Sequence, residues 1–239
     1  MQPLLLGVDV GTTATKAVLI DSQAHVVAQG RAEYPTIYLQ AGWVEQDANQ
    51  WWDSFCKATA QAISQVSNPK IIGVAISSQA PTLLAVDQSG NPVRNALIWM
   101  DRRAQEQADL LAKNFPNLSK LTGNRADPYY VAAKIMWLKQ NEPENYAKTK
   151  YFLQIPGYLN YRLTGKFSLD AAHASLLQLR TASNKEWADE VLDFIGVDQS
   201  KFPPIGLASD LLGEVVLENE RSEEHTSELQ SRFGISYAV

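Results

Sequence analysis

The sequence predicts an α/β domain built on a central mixed sheet with helical insertions. Three observations predict it. Short apolar runs bounded by turn residues open the chain, at Leu4 to Val8, Ala17 to Asp21 and Val26 to Ala28; such runs read as buried strands. Trp51, Trp52, Phe55, Thr59, Ala62, Ile63 and Val66 then recur at helical spacing across Ala48 to Gln65. A further apolar run, Ile71 to Ile76, follows Asn68-Pro69, which stops the helix. The order β-β-β-α-β combines hairpins with a helical crossover, so the sheet is expected to be mixed.

The first hairpin carries the chemistry. Its turn, Asp9 to Lys16, holds a carboxylate, a glycine, hydroxyls and a cation. Asp9 suits Mg²⁺, directly or through water, because that ion prefers oxygen ligands and keeps several waters. Backbone N–H groups at Gly11, Thr12 and Thr13, with the two hydroxyls, suit phosphate oxygens. Lys16 adds a point charge if it reaches the same face. Alone, the stretch is equally a polar hairpin turn. It is no P-loop, since Gly7 and Gly11 are too close and no Gly-Lys-Ser/Thr follows. It does resemble the phosphate loop of the actin, hexokinase and heat-shock chaperone ATPases, in which two ribonuclease-H-like domains close on ATP.

The later elements follow in order. Asp47 is placed to cap the helix. Ser77-Ser78-Gln79-Ala80-Pro81-Thr82 lies past the end of a strand, where α/β sheets put ligand groups. Leu83 to Val86 and Leu97 to Met100 read as strands joined by the turn Gln88 to Pro92. Asp101-Arg102-Arg103 opens a polar helix reaching about Asn114. These three residues read either as an N-cap with surface charge, the simpler choice, or as contacts to a polyhydroxylated ligand. Leu121 to Tyr129 is a loop by composition. In a helix from Tyr130 to Asn141, Lys134 reads as surface and Trp137 as core. Helices are expected at Ile155 to Leu163, closed by Thr164-Gly165, and at Trp187 to Ile195, with a last strand at Leu211 to Leu217.

Composition narrows the class. With 239 residues, 45% hydrophobic and 20% charged, the chain has the make-up of a soluble globular protein of one large or two small domains. The net charge of −5 argues against nucleic acid or an anionic membrane as main partner. The lone Cys56 rules out an internal disulfide and sits in an apolar helical stretch, as a buried structural thiol would. His25, His173 and His225 have no metal-binding spacing. No apolar stretch reaches the roughly 18 residues of a membrane span. The first apolar run is too short for a signal peptide, so a cytoplasmic protein is expected.

The order of motifs resembles the FGGY carbohydrate kinases, the family of xylulokinase, glycerol kinase and gluconokinase. Asp9-Val10-Gly11-Thr12-Thr13 resembles its phosphate loop, and Gly42-Trp43-Val44-Glu45-Gln46-Asp47 with Trp51-Trp52 its entry to the first helix. Ile98-Trp99-Met100-Asp101-Arg102-Arg103 resembles its Trp-x-Asp/Cys-x-Arg segment. Tyr129 to Asn141 fits the first family pattern at every defined position except Val131, where Pro, Ser or Thr is usual. Tyr158 to Gly165 and Asp170 also fall in place. The resemblance implies a ribonuclease-H-like fold and ATP-dependent phosphoryl transfer to a sugar or polyol hydroxyl, with a pentulose such as D-xylulose favoured over glycerol or gluconate. It implies Asp9 for Mg²⁺ and phosphates, Gly11, Thr12, Thr13 and Lys16 along the phosphates, and Gln79, Ala80, Pro81, Asp101, Arg102 and Tyr129 around the sugar. Ala80 and Pro81 stand where xylulokinases have Met-His and glycerol kinases Arg-Glu. They offer no side-chain hydrogen bonds, and such losses alter substrate preference. A homodimer of the full-length protein is compatible with the resemblance.

The resemblance covers residues 4 to 217, and residues 1–220 are expected to form the N-terminal sugar-binding domain. The Gly-rich Asp segment that supplies the family's general base, and the ATP-binding second domain, are not found in the sequence, so the chain alone is expected to be inactive, with a non-catalytic sugar-binding or interaction module as the alternative reading. Arg221 to Ser231 and Ile235 to Val239 resemble translated sequencing-library adapter. The stretch 221–239 is therefore expected to be a non-native or disordered tail.

Overall fold

The structure, a computed structural model, describes residues 3–216. The readings made for the tail, and for the end of the last expected strand, lie outside the described residues. Strands β1 (Pro3–Val10), β2 (Ala14–Ile20) and β3 (Val26–Glu33) form an antiparallel meander. A small hairpin follows, β4 (Ile37–Gln40) and β5 (Trp43–Gln46), then helix α1 (Ala48–Ile63) and strand β6 (Lys70–Ser78). Strand β6 pairs parallel with β1, so the sheet order is β3-β2-β1-β6 and the sheet is mixed, as the sequence implies.

The alternation of β1 places this sheet. Leu4, Leu6, Val8 and Val10 are buried, whereas Leu5 and Asp9 are exposed. The buried set packs with Trp51, Phe55, Ala58 and Ala62 of α1 in one apolar core. Asp47 caps the helix by accepting from the Asn49 amide at 2.9 Å. A Cβ at Gly30 would stand 2.0 Å from the Ala58 carbonyl oxygen, so only glycine lets α1 approach β3 this closely.

Beyond β6 come β7 (Leu84–Val86), β8 (Ala96–Leu97), α2 (Gln105–Asn114), α3 (Leu118–Thr122), α4 (Val131–Asn141), α5 (Pro143–Lys148) and β9 (Tyr151–Leu153). They are followed by α6 (Ile155–Thr164), β10 (Leu169–Asp170), α7 (Ala171–Ser175), α8 (Asp189–Ile195) and β11 (Ile205–Gly206). Helices α2, α4 and α8 enclose a second apolar core, and α6 joins the first.

Five expectations change. The run Leu97 to Met100 is strand only at Ala96–Leu97, and α2 starts at Gln105 rather than Asp101. Both shifts have one cause: the Asp101 carboxylate is taken by the Val44 and Arg103 amides and the Arg103 side chain, which turns the chain between strand and helix. The expected loop from Leu121 starts inside α3, which Gly123 ends in the left-handed conformation. Lys134 is fully buried, not at the surface. Residues 211–216 form no strand.

Candidate functional site

The turn after β1 owes its shape to buried partners. Gly11 donates its N–H to the Ala14 carbonyl at 3.0 Å, so that amide is spent inside the turn. The Gly11 carbonyl accepts from the buried Tyr34 hydroxyl. The Thr12 carbonyl accepts from Gln46 Nε2 at 2.7 Å and from Thr36 Oγ1 at 3.4 Å. In a trans peptide the carbonyl and the next N–H point to opposite sides, and among the described residues the cis bond is Ala80–Pro81. Carbonyls drawn inward at Gly11 and Thr12 therefore turn the Thr12 and Thr13 amides away from those partners. The cradle expected from three amides is thus a cradle of two.

Gln46, fully buried, has its hydrogen-bonding capacity filled. Its Oε1 accepts from Trp51 Nε1 at 3.0 Å and Gln79 Nε2 at 2.7 Å, while Nε2 serves Thr12 and Thr36. The indole is a donor only and the carbonyl an acceptor only, so this amide has one allowed orientation. Burial, and then the nearby Asp9 carboxylate, push the Tyr34 hydroxyl above its ordinary value and keep it a donor to Gly11.

Strand register assembles a polar row on the face opposite α1. Asp9 stands opposite Lys16 of β2 and beside Ser77 of β6, and Lys16 stands opposite Arg31 of β3. All four are exposed, and residues directly paired across strands share a face. Lys16 therefore does reach the face of Asp9. Among the described residues neither makes an ion pair.

The second half of the site comes from the 98–103 and 127–134 segments. Trp99, 37% exposed, meets Tyr129 edge to face with ring centroids 6.5 Å apart. Its Nε1 donates to Thr12 Oγ1 at 3.2 Å, joining this half to the turn. Tyr129 donates its hydroxyl to the Ala80 carbonyl at 2.9 Å, so Ala80 takes part through its backbone. Gln79 donates its own N–H to the Val10 carbonyl at 2.9 Å, which fixes it beside the turn.

Other expected contacts are placed differently. Pro81 and Asp101 are buried. The Asp101 carboxylate accepts from the Val44 amide at 2.7 Å and pairs with Arg103 at 2.8 Å, so it supports the loop rather than facing a ligand. Arg102 is exposed and pairs with Asp127 at 2.5 Å. Burial alone would raise Asp127, but the Tyr129 amide and the Arg102 guanidinium hold it below the usual carboxylate value.

Beneath this loop lies a buried ionic network that sequence reading missed. Arg103 reaches Glu45 at 2.8 Å and lies over the rings of Trp43 and Trp137, 4.1 and 4.9 Å from their centroids. Arg94 pairs with Glu45 and, at 2.6 Å, with Glu142. Lys134 Nζ donates to the carbonyls of Ile98 at 2.7 Å and Tyr129 at 3.0 Å, tying the two segments together. Burial pushes its amine down to about 7, against the pull of Asp101 and with the push of Arg102 and Arg103. A neutral amine has two N–H groups, one for each carbonyl.

The N-terminal domain of the FGGY family of carbohydrate kinases matches residues 4–223. The chain belongs to this family. It is 31% identical over 220 residues to a glycerol kinase of Thermococcus onnurineus, a match covering 89% of this chain and 45% of that protein. It is equally 31% identical over 215 residues to a xylulose kinase of Bacillus subtilis, covering 89% and 43%. The crystal structure of a gluconate kinase from Lactobacillus acidophilus superposes with a TM-score of 0.87 at 25% identity, covering 91% of this chain and 44% of that one. The FGGY chain thus has the actin- and hexokinase-like fold of these kinases and spans about half the length of the curated relatives it matches. Among its described residues no helix is long and apolar enough to cross a membrane, and no group of three or more His, Cys, Asp or Glu is placed to hold a metal.

Proposed function

We propose that the chain is the sugar-binding and phosphate-turn part of an ATP-dependent kinase that phosphorylates a hydroxyl of a pentulose such as D-xylulose. The observation that carries this reading is the Trp99–Thr12 hydrogen bond, which puts a half-exposed aromatic pair next to a turn whose free donors suit phosphate. Trp99 and Tyr129 would pack on the sugar, with Gln79, the Ala80 backbone and Arg102 around it. Glycerol is the second reading, supported by the equal likeness to a glycerol kinase and a xylulose kinase.

The donor set fits ATP and Mg²⁺. Thr12 and Thr13 would hold phosphate oxygens through amides and hydroxyls, and Lys16 would neutralise charge from the same face as Asp9. Asp9 would hold Mg²⁺ with one carboxylate, as suits an ion that retains much of its water. When bound, Mg²⁺ supplies charge neutralisation for phosphoryl transfer. The chain alone is proposed to bind without turnover. Near Trp99 and Tyr129, Asp101 and Asp127 are both committed to arginines, so neither is a free base for an attacking hydroxyl.

The test is an NMR titration of the full chain with D-xylulose, L-ribulose, glycerol and gluconate. A pentulose is expected to bind with the highest affinity, and Tyr129→Ala to weaken it by about tenfold, the loss of one hydrogen bond and its ring contact. Preference for glycerol selects the second reading. If none of the four binds, the proposal fails.

A further inference from the structure

The indole of Trp99 meets the phosphate turn at a single hydroxyl, and the chemistry of that contact has one direction. An indole N–H only donates, so Thr12 Oγ1 accepts, at 3.2 Å. A threonine hydroxyl has one proton. With a lone pair occupied by the indole, that proton is directed to another acceptor, and accepting a hydrogen bond makes the hydroxyl a stronger donor. The Thr12 carbonyl is held by Gln46 and Thr36, which fixes the backbone from which this hydroxyl projects. Trp99 is itself braced by Tyr129, whose carbonyl Lys134 holds and whose hydroxyl is anchored on Ala80.

We propose that Trp99 is a positioning residue for the phosphate turn: its indole N–H orders the Thr12 hydroxyl as a donor, alongside the Thr12 and Thr13 amides, for a terminal phosphate oxygen. The same ring belongs to the aromatic pair on the sugar side, so one side chain serves both halves of the site. This rests on the kinase reading only for what occupies the sugar side. The contact with the turn stands on Thr12 and Trp99 alone.

The experiment measures binding of inorganic tripolyphosphate with Mg²⁺ to the full chain by ³¹P NMR, for wild type, Trp99→Phe, Thr12→Val and the double variant. Phenylalanine keeps an aromatic ring at a half-exposed position and removes the donor together with the indole's second ring, a packing loss that the comparison with the double variant separates from the hydrogen bond. Valine keeps the shape of threonine and removes the hydroxyl. Each single variant is expected to weaken the probe by roughly three- to tenfold, the range for one hydrogen bond, and the double variant no more than either. This non-additivity is the readout, since two unrelated packing defects would multiply. Thr12→Ser is expected to restore wild-type affinity. Multiplying losses, or a Trp99→Phe chain that binds the probe as wild type does, would overturn the assignment. The titration with sugars separates the two proposals. Absent sugar binding with intact non-additivity removes the kinase reading and keeps Trp99 in its role; sugar binding with multiplying losses does the reverse.

Discussion

The Asp9–Lys16 turn and the 98–103 loop meet at one hydrogen bond, but they are held in different ways. The turn is shaped by neutral donors, Tyr34, Thr36 and Gln46, acting on backbone carbonyls, and its charged residues, Asp9 and Lys16, point outward unpaired. The loop is shaped by buried charge. Asp101 and Arg103 within it and Glu45 and Arg94 beneath it carry that charge, while its exposed residues are the uncharged Trp99 and Arg102, whose charge is paired with Asp127. Placing Asp9 and Lys16 in water leaves their charge available to a polyanion. Burying ions under the loop fixes its geometry, because removing one partner strands the others in a poor solvent for charge. A sugar, recognised by ring contacts and oriented hydroxyls, needs a rigid wall; a phosphate chain needs free donors and cations.

Breaking the loop's network should have the largest effect. Arg103→Met leaves Asp101 and part of Glu45 buried without their partner, and is expected to cost about 3–5 kcal/mol in urea denaturation. A loss below about 1 kcal/mol would show that the network does not hold the loop.

Lys134 gives an intermediate effect with a definite sign. Its amine is lowered to about 7 from the ordinary 10.5. Between these values the unfolded chain binds a proton that the folded chain does not, so stability rises with pH. The rise should run from pH 7 to about 9.5, below the onset of tyrosine titration. Denaturation midpoints of Lys134→Met across this range should lack it. The difference between the two curves isolates Lys134 from Lys201, which burial also lowers. Parallel curves would place the proton elsewhere.

The smallest effect on stability belongs to the turn. Asp9→Ala removes an exposed carboxylate and should change unfolding free energy by no more than ~0.5 kcal/mol, while Mg²⁺-dependent binding of tripolyphosphate is lost. A destabilisation as large as that of Arg103→Met would erase the contrast between the two regions.

Much of this was legible in the sequence. The three opening strands, the helix after Asp47 and the strand that follows it, the cap at Asp47 and the turn at Asp9 to Lys16 follow from patterns spanning a few residues, where side-chain alternation and turn chemistry act locally. Register then follows from alternation, because one buried face leaves a single pairing that also buries its neighbour. That is why the shared face of Asp9 and Lys16 follows once the hairpin is recognised. The motifs of the kinase family were likewise visible, including the segment containing Trp99, although its contact with Thr12 was not.

What only the tertiary structure decided involves partners distant in sequence. Asp101 reads as a cap or a ligand contact until Val44 and Arg103 are seen to occupy it. Lys134 reads as surface until the Ile98 and Tyr129 carbonyls are found at its amine. Gln46 gives no signal of its own, because its four partners, Thr12, Thr36, Trp51 and Gln79, come together only when the hairpin, the helix and β6 pack. The sequence by itself pointed to Asp9, Thr12, Thr13, Lys16, Gln79, Arg102 and Tyr129 as candidate groups, but not to Trp99. Folding decided which of them face outward, because a polar residue's role depends on whether a neighbour has already satisfied it.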